Sequence, residues 1–202
     1  MSKRTDITKS LIDVSDSVLI VIDIQDSFLT KYDSKVSKPV VEKAVWVIKL
    51  AQVLAVPIVA MAEDIDHSGN LDQSILDALG EDITVYDKHI FGLAGQPEIL
   101  AEIESTGRKT VILVGLETYV CVAQSALGLM EKGFQVAVLK DVVATTDGDE
   151  DIGFDRMRQA GAVISSVKAI TYEWLRTISN VVAVFDESPA GLEKLVPDCL
   201  EL

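Results

Sequence analysis

Short, wholly apolar runs alternate along this chain with longer segments whose apolar residues recur at helical spacing. Val18 to Ile22 is apolar at every position, as expected of a strand buried on both faces. Ile58 to Ala62, directly after Pro57, and Thr110 to Val114, ending at Gly115, have the same character. Gln135 to Leu139 predicts a fourth strand, Ala162 to Val167 a weaker fifth and Ile83 to Tyr86 a short extra one. Between them, Pro39 to Leu54 puts Val41, Ala44, Val45, Ile48 and Ala51 on one helical face, with Pro39 suited to a first turn. Tyr119 to Lys132 stops at Gly133, and Glu150 to Gln159 stops near Gly161. Leu71 to Leu79, Pro97 to Glu104 and Thr171 to Ile178 predict shorter helices.

Strands alternating with helices predict an α/β fold. The expected form is a three-layer α/β/α arrangement around a central, mostly parallel, Rossmann-like sheet. Such sheets bind ligands beyond the carboxyl ends of their strands, where the strand order reverses. No repeat, low-complexity segment or linker divides the chain, so residues 1–202 are expected to form a single domain. Its core is expected at about 17–178. The tail 179–202, with Pro189 and Pro197, is expected to pack on a neighbouring surface or a partner subunit.

Composition narrows the function. The chain is 49% hydrophobic and 25% charged, which excludes a disordered protein. Lys and Arg number 18 against 32 Asp and Glu, a formal charge of −14 that argues against a nucleic-acid partner. Aromatics at 5% offer little for base stacking. No apolar stretch approaches the roughly 18 residues of a membrane span. Met1 to Asp13 is polar and lacks the apolar core of a signal peptide. No membrane partner and a cytoplasmic location are therefore expected. The two cysteines, Cys121 and Cys199, make no disulfide framework.

Three reactive residues fall at strand ends. Asp23 follows five apolar residues without a turn signal, Lys88 follows the run ending at Tyr86, and Cys121 lies near the start of the helix after Gly115. Each has an ordinary reading: a turn residue, a solvated lysine and a small buried hydrophobe. Together they supply a base, a cation and a nucleophile on three strand–loop junctions of one sheet edge, which suits acyl transfer through a thioester. A thiol in the first turn of a helix, with a lysine nearby, is expected to have a lowered pKa.

These residues sit in three motifs: Val21-Ile-Asp-Ile-Gln-Asp-Ser-Phe28, Asp87-Lys-His-Ile-Phe91 and Gly115-Leu-Glu-Thr-Tyr-Val-Cys-Val122. With the Ala123 to Gly133 helix and Lys140-Asp-Val-Val-Ala-Thr-Thr146, their order and spacing resemble the isochorismatase-like cysteine hydrolases. That family includes nicotinamidases and N-carbamoyl amide hydrolases. The resemblance runs from about Ser17 to Ile178. It implies Cys121 as nucleophile, Asp23 as acid/base and Lys88 as third member of a triad. It also implies a cis bond at Leu116–Glu117, with the N–H groups of Glu117 and Cys121 as oxyanion donors. Phe28, Phe91 and Tyr119 are the expected pocket walls. The implied activity is hydrolysis of a small amide or carbamoyl-type C–N bond, on a small-molecule substrate, by a homo-oligomer.

Nicotinamidase-like members bind a metal through an Asp and histidines after the second strand. Asp64, Asp66 and His67 stand there, with His89 the only other histidine, so the ligand set is incomplete and neither metal nor cofactor is expected. Members that cleave a vinyl ether replace the cysteine, which is present here. The acidic run Asp147-Gly-Asp-Glu-Asp151 lacks calcium-loop spacing and is expected to open the following helix. A phosphoaspartate site would want a second Asp where Gln25 stands, and no Gly-rich turn follows the first strand. The alternative of a different class is a non-catalytic oligomeric scaffold or binding protein of the same fold.

Overall fold

A computed structural model of the chain describes residues 11–185. Cys199 and the tail beyond Phe185, including Pro189 and Pro197, lie outside them. A 3-10 turn at Val14–Asp16 leads into β1 (Ser17–Ile22), α1 (Asp26–Leu29), α2 (Ser34–Val53) and β2 (Ile58–Glu63). Next come α3 (Ile65–Ser68), α4 (Gln73–Leu79), β3 (Val85–Lys88), α5 (Pro97–Ser105) and β4 (Thr110–Leu116). A single π-helical turn (Thr118–Val122) precedes α6 (Ala123–Glu131) and β5 (Gln135–Ala144). The described chain ends with α7 (Glu150–Ala160), β6 (Val163–Ser165), α8 (Val167–Leu175) and α9 (Ile178–Phe185).

The strands form one parallel sheet in the order β3-β2-β1-β4-β5-β6. The chain builds outward from β1 to β3, then restarts on the other side of β1 with β4. The order therefore reverses between β1 and β4, and the carboxyl ends of these strands are where such a sheet places its ligand crevice. β1 and β4 are buried at every residue, which is why they read as unbroken apolar runs after their first residues, Ser17 and Thr110. Alternate residues serve opposite faces. Leu19 and Val21 join the core with Ala44, Val47 and Trp174 of α2 and α8. Val18, Ile20 and Ile22 join Ile99, Ala126 and Met157 of α5, α6 and α7.

Several boundaries differ from the sequence expectation. α2 starts at Ser34 rather than Pro39, because the Asp33 carboxylate accepts the Lys35 N–H and caps the helix upstream. Pro39 lies inside the helix. β3 runs two residues later than Ile83 to Tyr86. Its end is set by pairing with β2, from Ala60↔Val85 to Glu63↔Lys88, rather than by apolarity. β5 continues past Leu139 to Ala144, and its register against β4 jumps between Leu113 and Gly115. β6 is only three residues long. α8 begins at Val167, where Ser166 Oγ accepts the Ala169 N–H and Asp141 Oδ1 accepts the Val167 N–H. It ends at Arg176, whose φ is +65°, so Ile178 belongs to a separate helix.

Candidate active site

Four neighbouring strands deliver one charged or reactive side chain each to the crevice. Asp23 directly follows β1, Glu63 ends β2, Lys88 ends β3 and Cys121 lies in the π-helical turn after β4. At Asp23 the chain turns left-handed, with φ +53°, a region that aspartate visits more readily than most residues. The turn is held by Asp23 N–H to Met61 O and Gln25 N–H to Asp23 O. Cys121 does not sit in the first turn of a regular helix. The π-helical turn carries it, and α6 starts two residues later.

The Lys88 ammonium is the centre of the cluster. Its Nζ lies 3.0 Å from Asp23 Oδ2 and 3.2 Å from Glu63 Oε2. It also donates to Ile90 O at 3.2 Å and to Cys121 Sγ at 3.8 Å. The side chains of Asp23 and Lys88 have no solvent exposure, so Lys88 is a buried cation rather than a solvated strand end. The Asp23–Lys88 pair is close but poorly angled. Neither Asp23 oxygen has a directed hydrogen bond among the described residues. The directed bond of the thiol goes to Glu63, with Cys121 Sγ donating to Oε2 at 3.3 Å.

Burial dominates the electrostatics. It pushes the Asp23 carboxyl from 3.8 up to about 7, against the opposing pull of Lys88. Burial likewise pushes the Cys121 thiol up. The Asp23 charge adds to this, Lys88 opposes it and Glu63 adds again. The expectation of a lowered thiol pKa is therefore corrected. Two carboxylates and a dry site outweigh one ammonium, and the resting group is a thiol. For Lys88, burial works against the charge, but Asp23, Cys121 and Glu63 together hold its pKa above the usual lysine value.

Glu63 escaped the sequence reading, although its signal matches that of Asp23: the first charged residue after an apolar strand. Gln25 fixes it. This buried side chain accepts the Glu63 N–H at 2.8 Å and donates to Glu63 O at 3.0 Å and to Gly69 O at 2.6 Å.

Among the described residues, metal-type ligand atoms converge at Asp23, Glu63 and Cys121, not at Asp64, Asp66 and His67. Lys88 Nζ already stands among the converging atoms, so a metal ion would have to displace a buried ammonium. His89 Nε2 instead lies 3.1 Å from Asp87 Oδ2 on exposed side chains. These residues do not fit the metal centre of the nicotinamidase-like members.

The Leu116–Glu117 peptide is cis. The Glu117 carboxylate accepts from the Tyr32 hydroxyl, from Thr145 Oγ1 at 2.7 Å and from Thr146 N–H at 3.2 Å, so its side chain is committed to these three partners. Phe28 packs into the α2-side core with Lys31 Nζ 4.5 Å from its ring centroid, while Cys121 belongs to the opposite core. Phe91 is 52% exposed and follows Ile90, whose carbonyl receives Lys88. Tyr119 is half-buried and donates its hydroxyl to Asp147. Glu150 and Asp151 stand in the first turn of α7, where the acidic run meets the positive end of the helix. A cleft of about 500 Å³ lies between α1, α2 and α4, and none of the four crevice residues lines it.

Residues 17–169 match the Isochorismatase domain. The chain belongs to the isochorismatase family. "Isochorismatase family protein 1A" of Dictyostelium discoideum is 29% identical over 183 residues, covering 85% of this chain and 86% of the relative. "Secreted isochorismatase effector Isc1" of Phytophthora sojae is 32% identical over 171 residues, covering 81% and 79%. Among solved structures, MAR1 ribonuclease from Caenorhabditis elegans superposes with a TM-score of 0.82 at 25% identity, over 95% of each chain. The Escherichia coli YcaC product, described as an octameric hydrolase of unknown specificity, gives 0.78 at 21% identity over 92% and 94%. N-carbamoylsarcosine amidase from Thermoplasma acidophilum gives 0.65 at 20% identity over 75% and 96%. The fold is thus the isochorismatase-like hydrolase fold. No helix among the described residues is long and apolar enough to cross a membrane.

Proposed function

We propose that the chain is a cysteine hydrolase of a small amide or carbamoyl-type C–N bond. The observation that carries this is the cysteine sulfur 3.8 Å from a buried ammonium, which is itself paired at 3.0 Å with a buried carboxylate at the strand-order reversal. Asp23, poised at about 7, takes the thiol proton as Cys121 Sγ bonds to the substrate carbonyl carbon. Lys88 holds the charges that form. The N–H groups of Glu117 and Cys121 receive the oxyanion. The C–N bond then breaks and Asp23 returns the proton to the leaving nitrogen. Water attacks the thioester, giving its proton to Asp23. The C–S bond breaks, the acid leaves and Cys121 regains its proton.

The raised thiol supports proton transfer concerted with attack, rather than a standing thiolate. The N-carbamoyl amidase likeness supports the substrate class. Phe91, exposed beside the crevice, serves this reading as a pocket wall better than Phe28. Domain unity over the full chain, a cytoplasmic location and self-association belong to the same proposal, the last suggested by octameric YcaC. Ribonuclease activity is not carried over from the nematode relative, because a phosphodiester would bring negative charge to a site already holding two carboxylates around one ammonium.

The test is ammonia or amine release from a panel of primary carboxamides and carbamoyl compounds, with mass spectrometry for a Cys121 adduct. At least one compound should turn over, with a rising pH limb near 7. Cys121→Ala should lower that turnover by roughly a thousandfold or more. Turnover that survives Cys121→Ala sinks the mechanism. Light scattering should give a mass above the 21.9 kDa of one chain if the chain self-associates.

A further inference from the structure

The crevice holds more negative charge than its chemistry requires. Above about pH 7, with Asp23 ionised and the thiol protonated, Asp23, Glu63 and Lys88 leave one negative charge in surplus. Asp23 is sealed against Lys88, and neither side chain reaches solvent. Cys121 is only 4% exposed. The Glu63 side chain is 23% exposed, so it is the member of the cluster that an incoming molecule meets. It also touches both working groups, with Oε2 at 3.3 Å from Cys121 Sγ and 3.2 Å from Lys88 Nζ. Its position is not incidental to a loose loop. The backbone N–H and C=O of Glu63 are both fixed by the buried Gln25 amide, and its residue pairs with Lys88 across the sheet.

We propose that Glu63 is a specificity-determining residue: it accepts the N–H groups of an uncharged or cationic nitrogen on the substrate, next to the scissile carbonyl, and turns away carboxylate and phosphate groups. The proposal rests on the reading of Cys121 as the nucleophile. The ionisable groups facing Cys121 are Asp23 from the end of β1, Glu63 from β2 and Lys88 from β3. Of these, Glu63 alone is both anionic and open to an incoming molecule. An entering N–H donor satisfies the Glu63 oxygen now held by the thiol, which frees the thiol proton for Asp23. An entering anion adds to the surplus and holds the thiol in its resting form.

Small thiol reagents of opposite charge, with a neutral one as reference, test this without knowledge of the substrate. Full-length protein is treated with methanethiosulfonates carrying an ethylammonium, a neutral ethyl or an ethylsulfonate group, in about 0.5 M salt so that distant charges are screened. Cys121 modification is followed by peptide mass spectrometry and normalised to a free cysteine derivative. Wild type should favour the cation over the anion by roughly tenfold or more. Glu63→Gln should bring that ratio close to the free-thiol value and shift the pH profile of Cys121 modification downward. Glu63→Asp should keep part of the preference. A wild-type ratio equal to that of the free thiol overturns the role of Glu63 and leaves the hydrolase reading standing. A preference unchanged in Glu63→Gln overturns it equally. Cys121 inert to all three reagents in both proteins overturns both readings, since a site closed to such small molecules selects nothing.

Discussion

Asp23 is the residue whose environment does most to set the behaviour of the site. Its carboxyl is fully buried beside Lys88, and burial lifts it to about 7 despite that cation. In the unfolded chain the same group loses its proton near 3.8. Between these values the folded protein holds a proton that the unfolded chain has lost. Stability contributed by Asp23 must therefore fall as pH rises through that window, and level off above it. Urea unfolding of wild type and Asp23→Asn at pH 4.5 and 7.5 isolates the effect, because titrations that do not involve Asp23 cancel in the comparison and those of Cys121 and Lys88, both raised, lie above this range. Wild type should lose more than about 1.4 kcal/mol relative to Asp23→Asn across that range, the worth of one pKa unit. Parallel curves would show that the carboxylate is better solvated or better paired than its burial implies. In the proposed mechanism the same lift suits Asp23 to accept a proton at neutral pH, so the price in stability and that role would have one cause.

At the scale of elements, the close approach of β1 and β4 is what brings Asp23 and Cys121 to one crevice. Gly115 permits it. A Cβ there would lie 1.9 Å from Ile22 O, and its φ of +139° is one that side chains rarely adopt. Gly115→Ala should cost at least about 3 kcal/mol or abolish soluble expression, since the clash is with backbone and cannot relax by rotamer change. Gly80→Ala, with φ +77° and nothing within 4 Å, should cost only about 1 kcal/mol. Equal melting temperatures for the two variants would contradict this account. The central elements are legible in sequence for a related reason. β1 and β4 are buried on both faces, so no polar residue interrupts them until the site begins. β3 and β6 are edge strands with half-exposed positions, and their limits come from pairing partners that no local pattern reveals. Asp23, Lys88 and Cys121 are legible because each breaks or follows an apolar run. Glu63 gives the same signal, but Asp64, Asp66 and His67 immediately after it look more like a ligand set and draw the eye. The raised thiol is illegible, because it depends first on burial and then on Asp23 and Glu63, which the pairing of β1 with β2 and β4 brings to one place.

At the scale of the whole molecule, the formal charge of −14 acts at longer range than Glu63 does. A field of that sign gathers cations and repels anions before they reach the crevice, and salt screens it over a Debye length of roughly 10 Å at 0.1 M. Contact between Glu63 and a bound reagent is shorter than that length and partly shielded from solvent, so added salt weakens it much less. The two contributions therefore separate by ionic strength. In wild type, the cation-over-anion preference for Cys121 should be largest near 0.01 M salt, fall as salt rises and settle at a plateau set by Glu63. In Glu63→Gln the low-salt preference should survive, because removing one charge leaves the overall field nearly intact, while the high-salt plateau should vanish. If instead both proteins lose all preference by 0.5 M, selectivity belongs to the acidic surface, and the carboxylate at the end of β2 is a structural partner of Lys88 rather than a reader of substrate charge. A plateau confined to the protein that keeps Glu63 would mean that an acidic surface and an acidic crevice act in sequence on the same class of substrate, the first on encounter and the second on fit.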